Sequence, residues 1–338
     1  MPCRGCIVNK LEFEVKIEEP EHLHRLLAIF KPCNERAAEI KVSEHGHLMM
    51  NESLMRGFVD FCTDHLNGIE ILFRTSGEDW LPLSSAEAVF DAKWIDGVIA
   101  EEAVRFDFQP IVDLKGKTYG YECLARFWRE DGTRVSPAEA FAAAKTRGRL
   151  YALDRMCRLA ALRMTADMDP AWKVFINFIP TSIYSPEFCL KSTVDLANQL
   201  GISPDRFVFE VVETEWVEDV EHLKRVLAYY REKGFAYALD DVGEGYSTIE
   251  MLADLRPHFM KLDMKYVRGV SEDSRKQRVA STFLEKALQL GSVPLAEGIE
   301  TREELEWLRQ RGYQLFQGYL FGKPGTFSEM QQRGARLA

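Results

Sequence analysis

No stretch of the chain stays apolar for the roughly 18 residues that a membrane span needs. Hydrophobic residues make up 46% and charged residues 28% of the 338, a balance that excludes a disordered chain and predicts a soluble globular protein. The start, Met1-Pro2-Cys3-Arg4-Gly5-Cys6, lacks a basic stretch leading into an apolar one, so no signal peptide is expected. Cysteine is sparse. The seven present are odd in number and scattered, which argues against a disulfide framework and for reduced thiols in the cytoplasm. Positive charge is in deficit, with 43 Lys+Arg against 53 Asp+Glu. Residues 1–103 carry 10 basic and 19 acidic groups, and the remainder is nearly neutral. An acidic face of that kind excludes polymeric nucleic acid as the expected partner. A small anion held by local groups or metals stays open.

The first hundred residues read as a small α+β domain, 1–85, with a regulatory or sensory role. Leu11–Ile17 alternates as a half-exposed strand. Glu21–Phe30 has helical spacing behind Pro20. Glu39–Met50 is expected to bend near His45-Gly46, Glu52–Leu66 to be a helix ended by Asn67-Gly68, and Ile69–Phe73 to be a strand. Residues 86–105 are periodic and predict one connecting helix. Cys3-x-x-Cys6, with Cys33, Cys62 and five histidines (His22, His24, His45, His47, His65), raises a zinc or redox site. No second CxxC or regular histidine spacing completes it, so buried cysteine and surface histidine is the favoured reading.

From residue 106 to about 330, short apolar runs alternate with helical stretches. The runs are Phe106–Val112, Gly120–Leu124, Val174–Phe178, Phe207–Val212, Ala236–Leu239, Phe259–Leu262, Val293–Ala296 and Leu315–Gln317. Eight strands in about 225 residues predict an α/β fold of the (β/α)8 barrel type. Ser136-Pro137-Ala138-Glu139 and Thr301-Arg302-Glu303-Glu304 are capping boxes that start helices. In seven successive runs a polar residue lies within or just after the apolar stretch: Glu122, Asn177, Glu210, Asp240, Lys261, Glu297 and Gln317. In a barrel these meet at the C-terminal rim, where active sites of the fold lie. Asp240 is followed by Asp241. Adjacent carboxylates repel, and a pair of divalent ions is the economical way to hold them together. A plain strand-to-helix turn explains the same Asp-Asp-x-Gly by itself. Four carboxylates and an amide make an all-oxygen set, which selects Mg²⁺ or Mn²⁺ over zinc.

Residues 104–330 resemble the EAL domain, the cyclic di-GMP phosphodiesterase family. The resemblance runs in order through Gln109-Pro110-Ile111-Val112, Glu122-Cys123-Leu124-Ala125-Arg126, Asn177, Glu210-Val211-Val212-Glu213, Asp240–Ser247, Lys261-Leu262-Asp263, Ala296–Glu300 and Gln317–Phe321. The family's Glu-Ala-Leu is Glu-Cys-Leu here. Val242 and Glu244 stand where the family usually has Phe and Thr. The resemblance implies a barrel whose first strand runs antiparallel to the rest. It implies a two-metal site, with Glu122, Asn177, Glu210 and Asp240 on one ion and Asp240 and Asp241 on the other, Glu297 acting through water. It further implies that Lys261 orients or deprotonates the attacking water and that Glu213 anchors the loop after the Asp pair. Gln109, Arg126, Asp154 and Gln317 are the expected substrate contacts. The activity implied is hydrolysis of cyclic di-GMP to linear pGpG by a homodimer coupled through loop Val242–Ser247. The alternative is a catalytically silent cyclic di-GMP receptor, and an unrelated barrel metal-hydrolase is a third reading.

Overall fold

A computed structural model of the chain describes residues 10–17, 28, 39–65, 69–75, 79–212, 220–242 and 254–330, without the side chains of Val212, Asp241 and Val242. The chain divides into two compact units. One gathers Arg4–Ala103 with Phe127–Leu153, and the other Val104–Arg126 with Asp154–Ala338.

In the N-terminal unit, strands β1 (Glu12–Ile17), β2 (Lys41–Val42), β3 (Leu48–Asn51), β4 (Ile71–Thr75) and β5 (Leu81–Pro82) form a sheet in the order β2-β3-β1-β4-β5. Their pairings are all antiparallel. Alternation in β1 explains its placement: Phe13 and Val15 are buried, while Glu14 on the other face accepts from His47, just before β3, and from Arg74 of β4. The helix Glu52–His65 buries Leu54, Met55, Phe58, Val59 and Cys62, which share one core with Phe13, Phe73 and Phe90. The bend at Ser43–His47 stands where the sequence placed it. The expected helix Glu21–Phe30 lies, apart from Ala28, outside the described residues.

The connecting helix expected over 86–105 is two short helices, Ala86–Asp91 and Trp94–Ala100. The turn breaks at Ala92 with ψ near 4°, and Glu102 adopts a positive φ of 48° just before the next strand. The apolar period is continuous through this break, so it marks the buried face without marking the ends of the helices.

The second unit is a closed barrel. Its strands are β6 (Val104–Asp113), β7 (Thr118–Trp128), β9 (Lys173–Asn177), β10 (Phe207–Val212), β11 (Ala236–Val242), β12 (Phe259–Leu262), β13 (Val293–Ala296) and β14 (Leu315–Gln317). They run in the order β6-β14-β13-β12-β11-β10-β9-β7, and β6 pairs with β7 to close the ring. Neighbours from β7 round to β14 are parallel. The β14–β6 pair is antiparallel, so β6 is the one reversed strand. All eight expected runs are strands. The short β8 (Arg134–Val135) pairs with the end of β7 at Phe127 and Trp128. Inside the ring Ile111, Phe175, Val208, Ala238, Phe259, Leu295 and Leu315 pack together. A larger core lies between strands and helices, the layering a barrel requires.

Candidate functional site

Parallel strands in register bring their C-terminal ends to one rim. Glu122 faces Phe175 across β7–β9, Glu210 pairs with Asn177, and Val212 pairs with Asp240. Lys261 pairs with Leu295, one residue before Ala296, and Glu297 follows. The sequence-predicted polar residues therefore arrive together because the strands that carry them, or that they directly follow, pair side by side in register. Two glycines let the rim close. A Cβ on Gly298, beside Glu297, would come within 2.3 Å of Met264 Cβ, and one on Gly318, beside Gln317, within 2.1 Å of the Ile299 carbonyl.

Lys261 is fully buried, and its ammonium reaches Glu210 Oε1 at 2.7 Å, Glu297 Oε1 at 2.9 Å and Asp240 Oδ1 at 3.1 Å. These are ion pairs without hydrogen-bond alignment. Among the described residues, both oxygens of Glu210 and Oε1 of Glu297 are buried with no aligned hydrogen bond, and Lys261 is their close cationic neighbour. Burial pushes the Glu210 carboxyl well up, Lys261 opposes this, and Glu122 and Asp240 add to it. Burial also raises Glu297, with the Asp240 charge next. Burial works against the Lys261 ammonium, but Asp240, Glu210 and Glu297 more than offset it and lift its pKa. Three carboxylates thus share one cation, Glu122 adds a further negative charge nearby, and the excess makes the ensemble costly.

Glu122 is held differently, by amides. Gln317 Nε2 donates to its Oε2 at 2.6 Å, and Asn177 Nδ2 donates to its Oε1 at 3.2 Å. The same Gln317 nitrogen reaches Gln109 Oε1 at 3.1 Å. Gln109, Glu122, Glu297 and Gln317 line a cavity of about 180 Å³ together with Arg268, Glu300, Met264 and Tyr319. A larger cavity, about 880 Å³, lies in the N-terminal unit. Its lining carboxylates Asp60, Asp64, Glu70 and Glu87 are all exposed, so no buried polar groups converge there.

Two expected substrate residues are engaged within the protein. Arg126 Nε donates to Asp107 Oδ2 at 2.8 Å. Asp154 is 2% exposed. Its carboxylate accepts from the Ile179 amide at 3.0 Å, from Ser182 Oγ at 2.9 Å and from Arg158. It braces the turn that follows Asn177. Glu213 and the loop from Gly243 lie outside the described residues, as does the side chain of Asp241. Cys3, Cys6, Cys33, His22 and His24 do too, so the zinc expectation falls there. His47 bonds Glu14, and among the described residues no cluster forms a ready metal shell. Sequence reasoning missed the Arg268–Glu300 ion pair, 2.6 Å, at the cavity mouth. Glu300 stood in a quoted motif, but nothing in the sequence pairs it with a residue 32 positions away.

Donor chemistry and charge both fit divalent cations. The donors are carboxylate and amide oxygens, the choice of hard ions. The buried Oε2 of Glu210, which makes no hydrogen bond, is what such an ion would satisfy. Lys261 is what the carboxylates surround in this structure.

The EAL domain profile matches residues 91–324. A probable cyclic di-GMP phosphodiesterase, PdeG of Escherichia coli strain K12, is 32% identical over 228 residues, covering 66% of this chain and 45% of that protein. The chain spans less than half the length of the curated relatives it matches. A standalone versatile EAL protein from Vibrio cholerae O395, solved in its cyclic di-GMP-bound form, is 36% identical with a TM-score of 0.58, over 66% of this chain and 92% of that one. The FimX EAL domain of Pseudomonas aeruginosa, bound to cyclic di-GMP, is 22% identical with a TM-score of 0.64, over 70% and 96% of the two chains, a likeness of fold alone. No helix among the described residues is long and apolar enough to cross a membrane.

Proposed function

This chain belongs to the EAL domain family, and from that premise we propose that it hydrolyses cyclic di-GMP to linear pGpG. The observation that carries the reading is the rim's excess of negative charge: Glu210, Asp240 and Glu297 around one buried Lys261, with Glu122 held beside them by Gln317 and Asn177. A receptor needs only to bind, and nothing in binding a dianion calls for four converging carboxylates. An enzyme that recruits divalent cations does call for them.

Glu122, Asn177, Glu210 and Asp240 would hold one Mg²⁺ or Mn²⁺, and Asp240 with Asp241 a second. When bound, the ions supply positive charge to the phosphoryl oxygens and acidify a water for in-line attack, in which the water oxygen bonds phosphorus and the 3′ oxygen departs. Gln317 and Asn177 keep the Glu122 carboxylate aimed before any ion arrives. Lys261, in reach of Glu210, Asp240 and Glu297, orients or deprotonates the attacking water and screens the carboxylates. Gln109 and Gln317, which line the cavity, would contact the substrate, and Arg126 would do so on leaving Asp107. Glu213 braces the loop after Asp241, and that loop couples the site to a homodimer. These last two roles rest on sequence resemblance.

The test is direct. Full-length protein incubated with cyclic di-GMP and Mg²⁺ or Mn²⁺ should yield pGpG by product analysis. Ca²⁺ should support binding without turnover, since its looser coordination misplaces the water. A chain inert with both activating metals but binding the nucleotide is a receptor, and this reading is lost.

A further inference from the structure

We propose that Asp154 is a positioning residue for Asn177, acting through the turn that follows β9. The inference rests on the functional reading above only in taking Glu122 and Asn177 as ligands to a divalent cation.

Asn177 is the last residue of β9. On one side it pairs with Glu210 of β10. On the other, the β7–β9 register runs only as far as Cys123 and Ile176, one residue short of it. Asn177 is exposed, so packing does not hold its side chain. Its Nδ2 donates to Glu122 Oε1 at 3.2 Å. An amide carries its donors on nitrogen and its acceptor on oxygen, so this bond leaves Oδ1 for a cation. Where the amide points is then set by the backbone that carries it, and that backbone leaves the sheet at once.

The exit is built around one carboxylate. The Phe178 amide donates to the Glu210 carbonyl at 3.2 Å, a backbone link to β10. Ile179 then precedes a single helical turn, Pro180–Ser182, closed by the Ser182 amide on the Ile179 carbonyl at 3.0 Å. Asp154, on the helix Leu150–Met164, bridges this step. Its Oδ1 accepts from the Ile179 amide at 3.0 Å and its Oδ2 from Ser182 Oγ at 2.9 Å. Arg158, one turn along the same helix, donates to Oδ2 as well, and its Nε donates to Thr193 Oγ1 at 3.0 Å. Asp154, Arg158, Ser182 and Thr193 are all buried. The path from Asp154 to the Ile179 amide, back along the chain to Asn177 and across to Glu122 lies wholly within the barrel unit.

Stability alone does not call for such a cluster. Apolar side chains of similar volume often replace a buried ion pair with no loss of stability. A carboxylate that accepts from a backbone amide and from a hydroxyl three residues later supplies direction instead: it fixes the angle at which the chain leaves β9. Both of its oxygens are engaged inside the protein, so Asp154 acts through the turn and not by touching substrate. At a metal site a displacement of about 1 Å is enough to matter, and groups that orient a ligand typically govern metal affinity by about 10–100-fold.

The experiment is a calorimetric titration of the full-length chain with Mn²⁺ alone, with cyclic di-GMP kinetics measured beside it. Asp154→Asn keeps the shape of the side chain but loses the charge that makes it a strong acceptor. It should keep its far-UV circular dichroism and a single unfolding transition, yet bind Mn²⁺ about tenfold more weakly. A folded variant that binds Mn²⁺ as the wild type does overturns the proposal, whether or not it melts earlier. If its KM for cyclic di-GMP rises while Mn²⁺ affinity holds, Asp154 is a substrate contact instead. Should Asp154→Asn fail to fold, Ser182→Ala leaves both buried charges paired and cuts one tie between Asp154 and the turn. An affinity lower by about threefold supports the proposal, and an unchanged affinity overturns it. Wild-type protein that binds no Mn²⁺ overturns the proposal together with the metal site. Wild-type protein that binds Mn²⁺ but leaves cyclic di-GMP intact defeats the phosphodiesterase reading alone, since the comparison of affinities stands without turnover.

Discussion

The carboxylate of Glu122 is in place before any ligand arrives, and that is where the chemistry is most exposed to mutation. Glu122→Ala removes a cation ligand, and activity should fall by at least about 100-fold, because charge stabilisation by a bound metal is worth several kcal/mol. Near-normal turnover by a folded Glu122→Ala protein would remove this residue from the metal site. Gln317→Leu keeps volume but deletes the donor 2.6 Å from Glu122, and a loss of about 10–100-fold in metal affinity is expected. Titration with Mn²⁺ checks it, and a purely substrate-binding Gln317 would leave that affinity untouched. The residue types at the rim were legible in the sequence because each lies within or just after an apolar run: one such residue is usually structural, but seven on successive strands are hard to explain that way. Their partners were not legible. Gln317 and Glu122 are 195 residues apart, and only closure of the ring makes them neighbours. Asp154 shows the same limit. Its helical spacing was visible, but its three donors at Ile179, Ser182 and Arg158 come from the fold.

At the scale of elements, strands were easier to read than helix ends. A barrel strand buried on both faces shows as an unbroken apolar run, and every such run from Phe106 to Gln317 became a strand. Helix starts were legible where a side chain does the capping. Thr301 Oγ1 accepts from the Glu304 amide, and Glu304 returns the bond to the Thr301 amide. Thr301→Ala should therefore cost about 1 kcal/mol, seen as a lower urea midpoint with an unchanged slope. A midpoint equal to the wild type would mean that the helix Arg302–Arg311 is held by packing alone. The break at Ala92 carries no such mark. It falls among alanine, lysine and aspartate, which helices accept, so tertiary packing set it and local sequence did not.

Across the whole molecule, the partition was the least legible feature, because the sequence suggests a simple succession of domains. Residues 127–153 instead group with the N-terminal residues, and Arg147 is why cutting the chain at 103/104 should fail. A fragment 104–338 keeps Arg147 but loses Glu52, Asp96 and the Val89 carbonyl. With these acceptors of its guanidinium go the residues that segment 127–153 groups with, so that segment is left without its packing partners. The fragment should unfold without the full chain's cooperative transition in urea, and a fragment as stable as the full chain would refute the interleaving. Acid supplies an independent measure of the same knot. Burial pushes the Glu52 carboxyl up, but the hydrogen bond and charge of Arg147 outweigh this and hold it below its usual 4.5. The folded chain therefore binds that proton less readily than the unfolded one. The stabilisation is complete above about pH 4.5 and drains away as pH falls through the folded value. In Arg147→Met the depression is relieved, so its melting temperature should fall less steeply between pH 5 and 3 than that of the wild type, as differential scanning calorimetry across that range would show. Parallel acid limbs in the two proteins would mean that Glu52 owes its low pKa to Arg56 and Lys93, its other cationic neighbours, and that the grip on Arg147 is held by Asp96.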